Sequence, residues 1–351
     1  NLQHAKASHE YRARVDQNPC NNHNNRCYWC QKIFAQNARE FLTHHCPCKP
    51  LDVHVISLRF CPIRAEKNST FHAKFLPKVI EYDRYQPEFY EDTLTYVSKR
   101  SSNQKIIKGK NLYSKNEKLI LNVESKFKVE KELLLSLMGI ETNFGKYLGK
   151  MDIISSLATL SYDKRRSEFF TKELLILLKL VDKNIISKEI LFGSWAGAFG
   201  NFQFMPRTIQ NYAIDFNNNK TIELKKTEDS FASAANYLKK IGWKKNQPCF
   251  FKINLNDNIP KKYLNSSARN IKNKKHVSTL KKYIKDFSEL NIQNNPKAAI
   301  IIPDKDIIPG AETLSPAYII FENYEKILNW NRSLRFALAV CTLKESFKNE
   351  I

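Results

Sequence analysis

Val129-Glu130-Lys131-Glu132-Leu133-Leu134-Leu135-Ser136-Leu137-Met138-Gly139-Ile140-Glu141-Thr142-Asn143-Phe144-Gly145 is the stretch whose reading decides the fold of this chain. Leu133, Leu134, Leu137 and Met138 recur at helical spacing, which predicts a helix over 129–142 with Gly139 near its end. Glu141 follows Leu137 by four residues and Leu134 by seven, so a continuing helix sets it on their apolar face. A carboxyl group held against apolar packing is desolvated, its pKa rises, and it becomes able to donate a proton near neutrality. Taken alone, a glutamate at a helix end reads first as a cap or a surface group. Thr142-Asn143-Phe144-Gly145 ends the helix and puts an aromatic ring and flexible backbone at the mouth of any cleft.

Outward from this stretch the chain is mostly helical. Helical patterns cover Pro87 to Tyr96, Ser114 to Phe127, Thr171 to Ile186, Asp229 to Leu238 and Arg332 to Phe347, with few Gly or Pro to interrupt them. Beyond Trp243 the pattern changes. Phe251, Ile253 and Leu255 alternate with polar residues, and Ala298 to Ile302 and Ala317 to Phe321 are short apolar runs, all strand signals. The expected class is mainly α (α+β): a helical core, an accessory helical region and a small β-containing subdomain. The expected divisions are 1–62, rich in cysteine and histidine; 63–128, an N-terminal helical region; 129–245, the core; 246–325, the β-containing subdomain; and 326–351, a C-terminal helix completing the core.

Composition narrows the partners without choosing one. With 57 Lys+Arg against 35 Asp+Glu the formal charge is +22 over 351 residues, which suits polyanionic surroundings such as nucleic acid, anionic lipid or acidic wall polymer. Lysines scattered among Asn and Ile, as in Lys272 to Lys275 and Lys281 to Lys285, are explained as well by an AT-biased coding composition. No run approaches the roughly 20 apolar residues that span a bilayer, and no secretion signal is legible in the first thirty residues. Cys20, Cys27, Cys30, Cys46, Cys48 and Cys61, with seven of the eight histidines, lie before residue 73. That segment reads as a zinc site, a disulfide cluster or a leader without a fold of its own.

A second segment supplies context for Glu141: Gly193-Ser194-Trp195-Ala196-Gly197-Ala198-Phe199-Gly200-Asn201-Phe202-Gln203-Phe204-Met205-Pro206. Small residues let backbone approach a sugar ring while aromatic faces stack on it. Ser194 and Gln203 add groups suited to hydroxyl and acetamido substituents. An aromatic-packed turn is the plainer reading of the same residues.

Gly139 to Gly145, Leu157 to Tyr162 with Arg165-Arg166, Gly193 to Gly197 through Gln203-Phe204-Met205-Pro206, and Ala235 to Leu238 with Gly242-Trp243 together resemble the MltB-type lytic murein transglycosylases. Val79 to Arg84, Gln86 to Phe89 and Trp330 to Val340 are similar too, so the resemblance runs from about residue 68 to the end. It implies a lysozyme-like cleft and non-hydrolytic cleavage of the β-1,4 bond between N-acetylmuramic acid and N-acetylglucosamine, with a 1,6-anhydromuramoyl product and no cofactor.

Residue by residue, the resemblance makes Glu141 the catalytic acid and base. Ser194 is then placed near the acetamido group, Gln203 in the sugar cleft, and Arg165 and Arg166 against the peptide stem or lactyl carboxylate. Tyr237 falls on the cleft floor, Tyr96 is a more distant aromatic, and Asn331 lies near the acid. Trp330 and Phe336 stand where some members carry a tyrosine pair, which keeps stacking and removes the hydroxyls. Asp215, Asn217, Asn219, Thr221 and Asp229 align with a calcium loop. Asn219 replaces an acidic ligand there, and Lys220 stands where a turn glycine is wanted. The implied partner is the peptidoglycan glycan strand rather than nucleic acid, in the periplasmic envelope. Peripheral contact with anionic membrane and a monomeric state complete the expectation. A basic nucleic-acid-binding protein and an inert peptidoglycan-binding relative are the alternatives.

Overall fold

The computed structural model describes residues 63–64, 70–71, 73–85, 91–187, 191–285, 287–290, 292–305 and 314–351. The cysteine-rich segment 1–62, with its zinc, disulfide and leader readings, and the Gln86 to Phe89 block lie outside the described residues. The short strands β1 (Ile63–Arg64) and β2 (Thr70–Phe71) pair antiparallel ahead of three helices. These are α1 (Pro77–Arg84), α2 (Thr93–Arg100) and α3 (Asn103–Phe127). The helix expected from Pro87 is α2, and it starts at Thr93 because the Asp92 carboxylate accepts from the Thr95 N–H at 2.9 Å, a side-chain N-cap. The helix read from Ser114 is the second half of the 25-residue α3, which bends at Asn116, where φ is −128°.

α4 (Lys131–Thr142) is the central helix: Leu133 through Gly139 are all buried, so it is wrapped on every side. β3 (Met151–Asp152) leads into α5 (Ile153–Tyr162), whose N-cap is Asp152, and then α6 (Ser167–Asp182). β4 (Phe192–Gly193) pairs with β3, and α7 (Pro206–Tyr212) and α8 (Thr227–Lys240) follow.

Six strands form the small sheet: β5 (Phe250–Leu255), β6 (Leu264–Asn265), β7 (Lys275–His276), β8 (Ile284–Lys285), β9 (Lys297–Ile301) and β10 (Ala317–Ile320). Their order is β6-β9-β10-β5-β8, with β7 also on β9. Both faces of β9 and β10 are covered. Ala299, Ile301, Tyr318 and Ile320 join the helical core, whereas Ala298, Ile300, Ala317 and Ile319 pack into a second core under the sheet. Burial on both faces explains why these strands read as continuous apolar runs. The chain then returns to the helices through α9 (Glu322–Trp330) and α10 (Leu334–Lys348). A disulfide between Cys249 and Cys341 ties the entry to the sheet to α10.

Candidate active site

Glu141 occupies the last turn of α4, and the residues that follow it are held in an uncommon conformation. Asn143, Phe144 and Gly145 take φ of 50°, 60° and 81° in succession, and for a phenylalanine the left-handed region is strained. The Phe144 ring compensates by lying on the bare α carbon of Gly139. A β carbon there would stand 2.6 Å from the ring, which is why a glycine sits inside this helix. Thr142, fully buried, locks the turn: its hydroxyl donates to the Asn201 carbonyl at 2.8 Å and accepts from the Gly145 N–H at 3.0 Å. Thr142 and Gly145 thus fasten the end of α4 to the glycine-aromatic segment.

That segment folds back on itself through the Phe199–Phe204 bridge. Ser194 Oγ accepts from the Ala198 N–H at 3.0 Å, which leaves its hydroxyl proton to be donated. Gln203 sits at φ 50° with its amide nitrogen on the carbonyls of Gly200 at 3.0 Å and Leu148 at 3.3 Å. Its amide oxygen has no partner among the described residues.

The third side of the site comes from the end of α9. The Trp330 indole N–H donates to Glu141 Oε1 at 3.0 Å. The indole stacks on Tyr237, with centroids 5.0 Å apart, and Tyr237 stacks on Tyr212 at 4.4 Å. Phe204 meets the indole edge-on at 5.3 Å. The Tyr237 hydroxyl donates to the Asn329 carbonyl at 3.0 Å, and burial pushes its pKa up to about 12, so it stays a neutral donor. Glu141 is partly buried in this aromatic wall. Burial raises its pKa from the ordinary 4.5 to about 7, while the Trp330 hydrogen bond acts the other way. No charged neighbour among the described residues contributes. The arrangement gives one carboxyl group that is both proton donor and proton acceptor near neutrality.

The transglycosylase SLT domain model matches residues 64–345. The chain belongs to the transglycosylase SLT domain family. The curated membrane-bound lytic murein transglycosylase B of Escherichia coli is 40% identical over 118 residues, a third of each chain, so the matched stretch spans about a third of that relative's length. Among solved structures, SltB3 from Pseudomonas aeruginosa in complex with NAG-anhNAM-pentapeptide superposes with a TM-score of 0.69. It is 30% identical, and the match covers 79% of this chain and 72% of that one. The Escherichia coli lytic transglycosylase Slt35 in complex with calcium gives a TM-score of 0.66 at 26% identity, over 79% and 84% of the two chains.

Within this SLT domain the other expected site residues are distributed unevenly. Arg165 and Arg166 both turn to the buried Asp83: Arg165 Nη1 is 2.7 Å from Oδ2 and also bonds the Asp83 carbonyl, and Arg166 bonds Oδ1. A carboxylate buried to 1% exposure demands such partners. The arginine pair therefore clamps α1 to the loop after α5. Tyr96 is buried, with the Arg100 guanidinium 3.5 Å and that of Arg335 5.2 Å from its ring centroid, and Phe336 is a core residue. Asn331 is exposed at the end of α9. Tyr212, Phe204 and Thr142 went unnoticed as site residues. For Thr142 the signal was its place beside Glu141, and for Tyr212 there was none.

The calcium-like loop does not fit the ion. Asp215 accepts from the N–H groups of Asn219 and Lys220, and Asp229 from those of Phe216 and Glu223. Asn219 turns its amide nitrogen, a donor, toward Glu223 at 2.8 Å. Lys220 adopts φ 72°, where a calcium loop has its glycine. Among the described residues no group of three or more His, Cys, Asp or Glu could hold a metal.

Proposed function

We propose that this protein is a lytic transglycosylase of peptidoglycan, with Glu141 as its acid and base. The observation that carries the reading is a desolvated carboxyl group with a pKa of about 7 whose only polar partner among the described residues is the Trp330 indole N–H. Protonated Glu141 gives its proton to the glycosidic oxygen as the bond from C1 of N-acetylmuramic acid breaks. The resulting carboxylate, held by the indole N–H, takes the proton of the C6 hydroxyl as that oxygen closes on C1. Bonds and protons balance, and Glu141 is restored without water. Hydrolytic glycosidases need a second carboxylate; here the acetamido group and C6 hydroxyl of the sugar take its part.

Ser194 orients the acetamido group, and the free Gln203 oxygen accepts from a sugar hydroxyl. Asn331, exposed and next to Trp330 in the chain, offers its amide to the sugar, while Trp330 and Tyr237 wall the cleft. SltB3 was crystallised with an anhydro-muramyl pentapeptide, which supports the same product class here. The site of action we infer is the periplasmic envelope. The Cys249–Cys341 disulfide supports an oxidising compartment, and no helix among the described residues is long and apolar enough to cross a membrane. The test is digestion of purified sacculi followed by mass spectrometry. Release of 1,6-anhydro-muropeptides is expected; reducing muramic acid ends would make the protein a hydrolase, and no release at all would make it an inert binder.

A further inference from the structure

One carbonyl at the end of α4 is handed to a side chain of another helix. The N–H groups of Asn143 and Phe144 both reach back to the Met138 carbonyl, as does the Thr142 hydroxyl. The left-handed turn thereby passes over the carbonyl of Gly139, two residues before Glu141. The side chain that meets this carbonyl is Lys105 of α3, whose ammonium donates to it. A lysine on a last-turn carbonyl closes a helix C-terminus, where the backbone leaves acceptors unserved.

The placement is unfavourable for the lysine itself. Lys105 is half-buried, and the charges that bear on it, Lys108 and Arg100, are both positive; burial first, then those two cations, holds its pKa below the usual lysine range. An ammonium group taken out of water without a countercharge lowers stability. A residue that breaks a local rule in this way is expected where function, rather than packing, requires it. One turn further along the same face of α3, buried Gly109 meets the same structure: a β carbon there would stand 3.2 Å from the Phe144 ring and 2.2 Å from that of Phe347. The Phe144 ring thus lies against Gly109 of α3 as well as Gly139 of α4. Glu141 is bracketed by two fastenings, the Gly139 carbonyl held by Lys105 and Thr142 held on the Asn201 carbonyl.

We propose that Lys105 is a positioning residue for the reaction at Glu141: by holding the Gly139 carbonyl it fixes the last turn of α4, and with it the direction in which the carboxyl group meets the glycosidic oxygen. The inference rests on the reading of Glu141 given above. Lys105 bonds the backbone and not the Glu141 carboxyl group, so its effect falls on the rate of turnover rather than on the hold on the glycan strand.

The experiment measures anhydro-product release from purified glycan strands by the full chain and by Lys105→Met, Lys105→Arg and Lys108→Met, each rate taken per folded molecule. Lys105→Met is expected to lower kcat by about ten- to a hundredfold with KM unchanged, since a small misplacement of a reacting group costs that much. Lys105→Arg, which can still donate to the carbonyl, should recover most of the loss. Lys108→Met removes an exposed charge from the same helix and should leave both constants in place. Should methionine disturb the packing, Lys105→Ala gives the same reading. An unchanged kcat in Lys105→Met would overturn the proposal. So would a rise in KM at constant kcat, or equal losses in Lys105→Met and Lys108→Met, either of which would make α3 a general polyanion-binding face. Absence of anhydro products with wild type would defeat the reading of Glu141 itself, and this proposal with it.

Discussion

Two glutamates stand at opposite ends of α4, and each receives an indole N–H, yet they do different work. Glu130, at the N-cap, is 3% exposed and fully met. Trp243 Nε1 donates at 2.6 Å, the Asn246 N–H at 3.0 Å, and the fully buried Lys344 ammonium lies at 3.4 Å. It joins the start of α4, the approach to the sheet and α10. Glu141, at the far end, has the Trp330 N–H at 3.0 Å and no cation among the described residues. The N-terminus of a helix also favours a negative charge and the C-terminus opposes it. The difference teaches that partners decide the role of a buried carboxylate more than burial does: a saturated one is a structural joint, and an under-partnered one holds its proton to near neutrality.

The sharpest break in this contrast is Glu141→Gln. Anhydro-product formation should fall by about three to four orders of magnitude, since one group serves both proton transfers. Stability should move the other way. Folded Glu141 titrates at about 7 against the ordinary 4.5, so stability present below about 4.5 is lost as pH rises through about 7. Removing the ionisable group should gain up to about 3 kcal/mol at pH 8 and nothing at pH 4. Denaturant melts at the two pH values check the sign.

Glu130→Gln should show the mirror image. It leaves the buried Lys344 ammonium with only the exposed Glu345 carboxylate, at 3.3 Å, as a countercharge among the described residues and weakens the bonds from Trp243 and Asn246, and should cost about 2–3 kcal/mol of stability, while turnover per folded molecule is retained. Measuring active-site concentration beside the denaturant midpoint separates the two quantities.

The indoles give the next test. Trp330→Phe removes a donor that favours ionised Glu141, so its pKa rises, and the alkaline fall of kcat should move up by about one pH unit. Trp243→Phe should lower stability by about 1–3 kcal/mol and leave the pH profile in place. A shift of the profile by Trp243→Phe, or none by Trp330→Phe, would break the comparison.

Smaller effects are expected at Thr142. Thr142→Val preserves shape but leaves the Asn201 carbonyl and Gly145 N–H without their bonds. A loss of about 1–3 kcal/mol in stability, with a modest fall in kcat from a looser turn, would be read by melting and kinetics together.

Much of this arrangement was legible in the residues. The apolar period of 133–138 placed Glu141 on a packed helix, and the alternation at Phe251, Ile253 and Leu255 placed a strand. Short helices were harder. α1, α7 and α9 run for eight, seven and nine residues, too few turns for a periodic pattern to stand out.

Long-range pairing was not legible at all. Nothing local to Cys249 or Cys341, 92 residues apart, points to the other. Asp83 likewise gives no sign that it will absorb Arg165 and Arg166 from 82 and 83 residues away. At Trp330 the residue was read as a tyrosine without its hydroxyl. The fold instead aims the indole N–H at Glu141, so a donor is supplied by a different group. Tyr96 and Phe336 matched by spacing, but spacing carries no information about which side of a helix the core will cover.

The most direct test is a ¹³C NMR titration of carboxyl-labelled glutamate, with the resonance of Glu141 assigned by its loss in Glu141→Gln. A midpoint near 7 is expected in the wild type, and a higher one in Trp330→Phe. A midpoint near 4.5, with Glu141 ionised at neutral pH like any exposed glutamate, would contradict it.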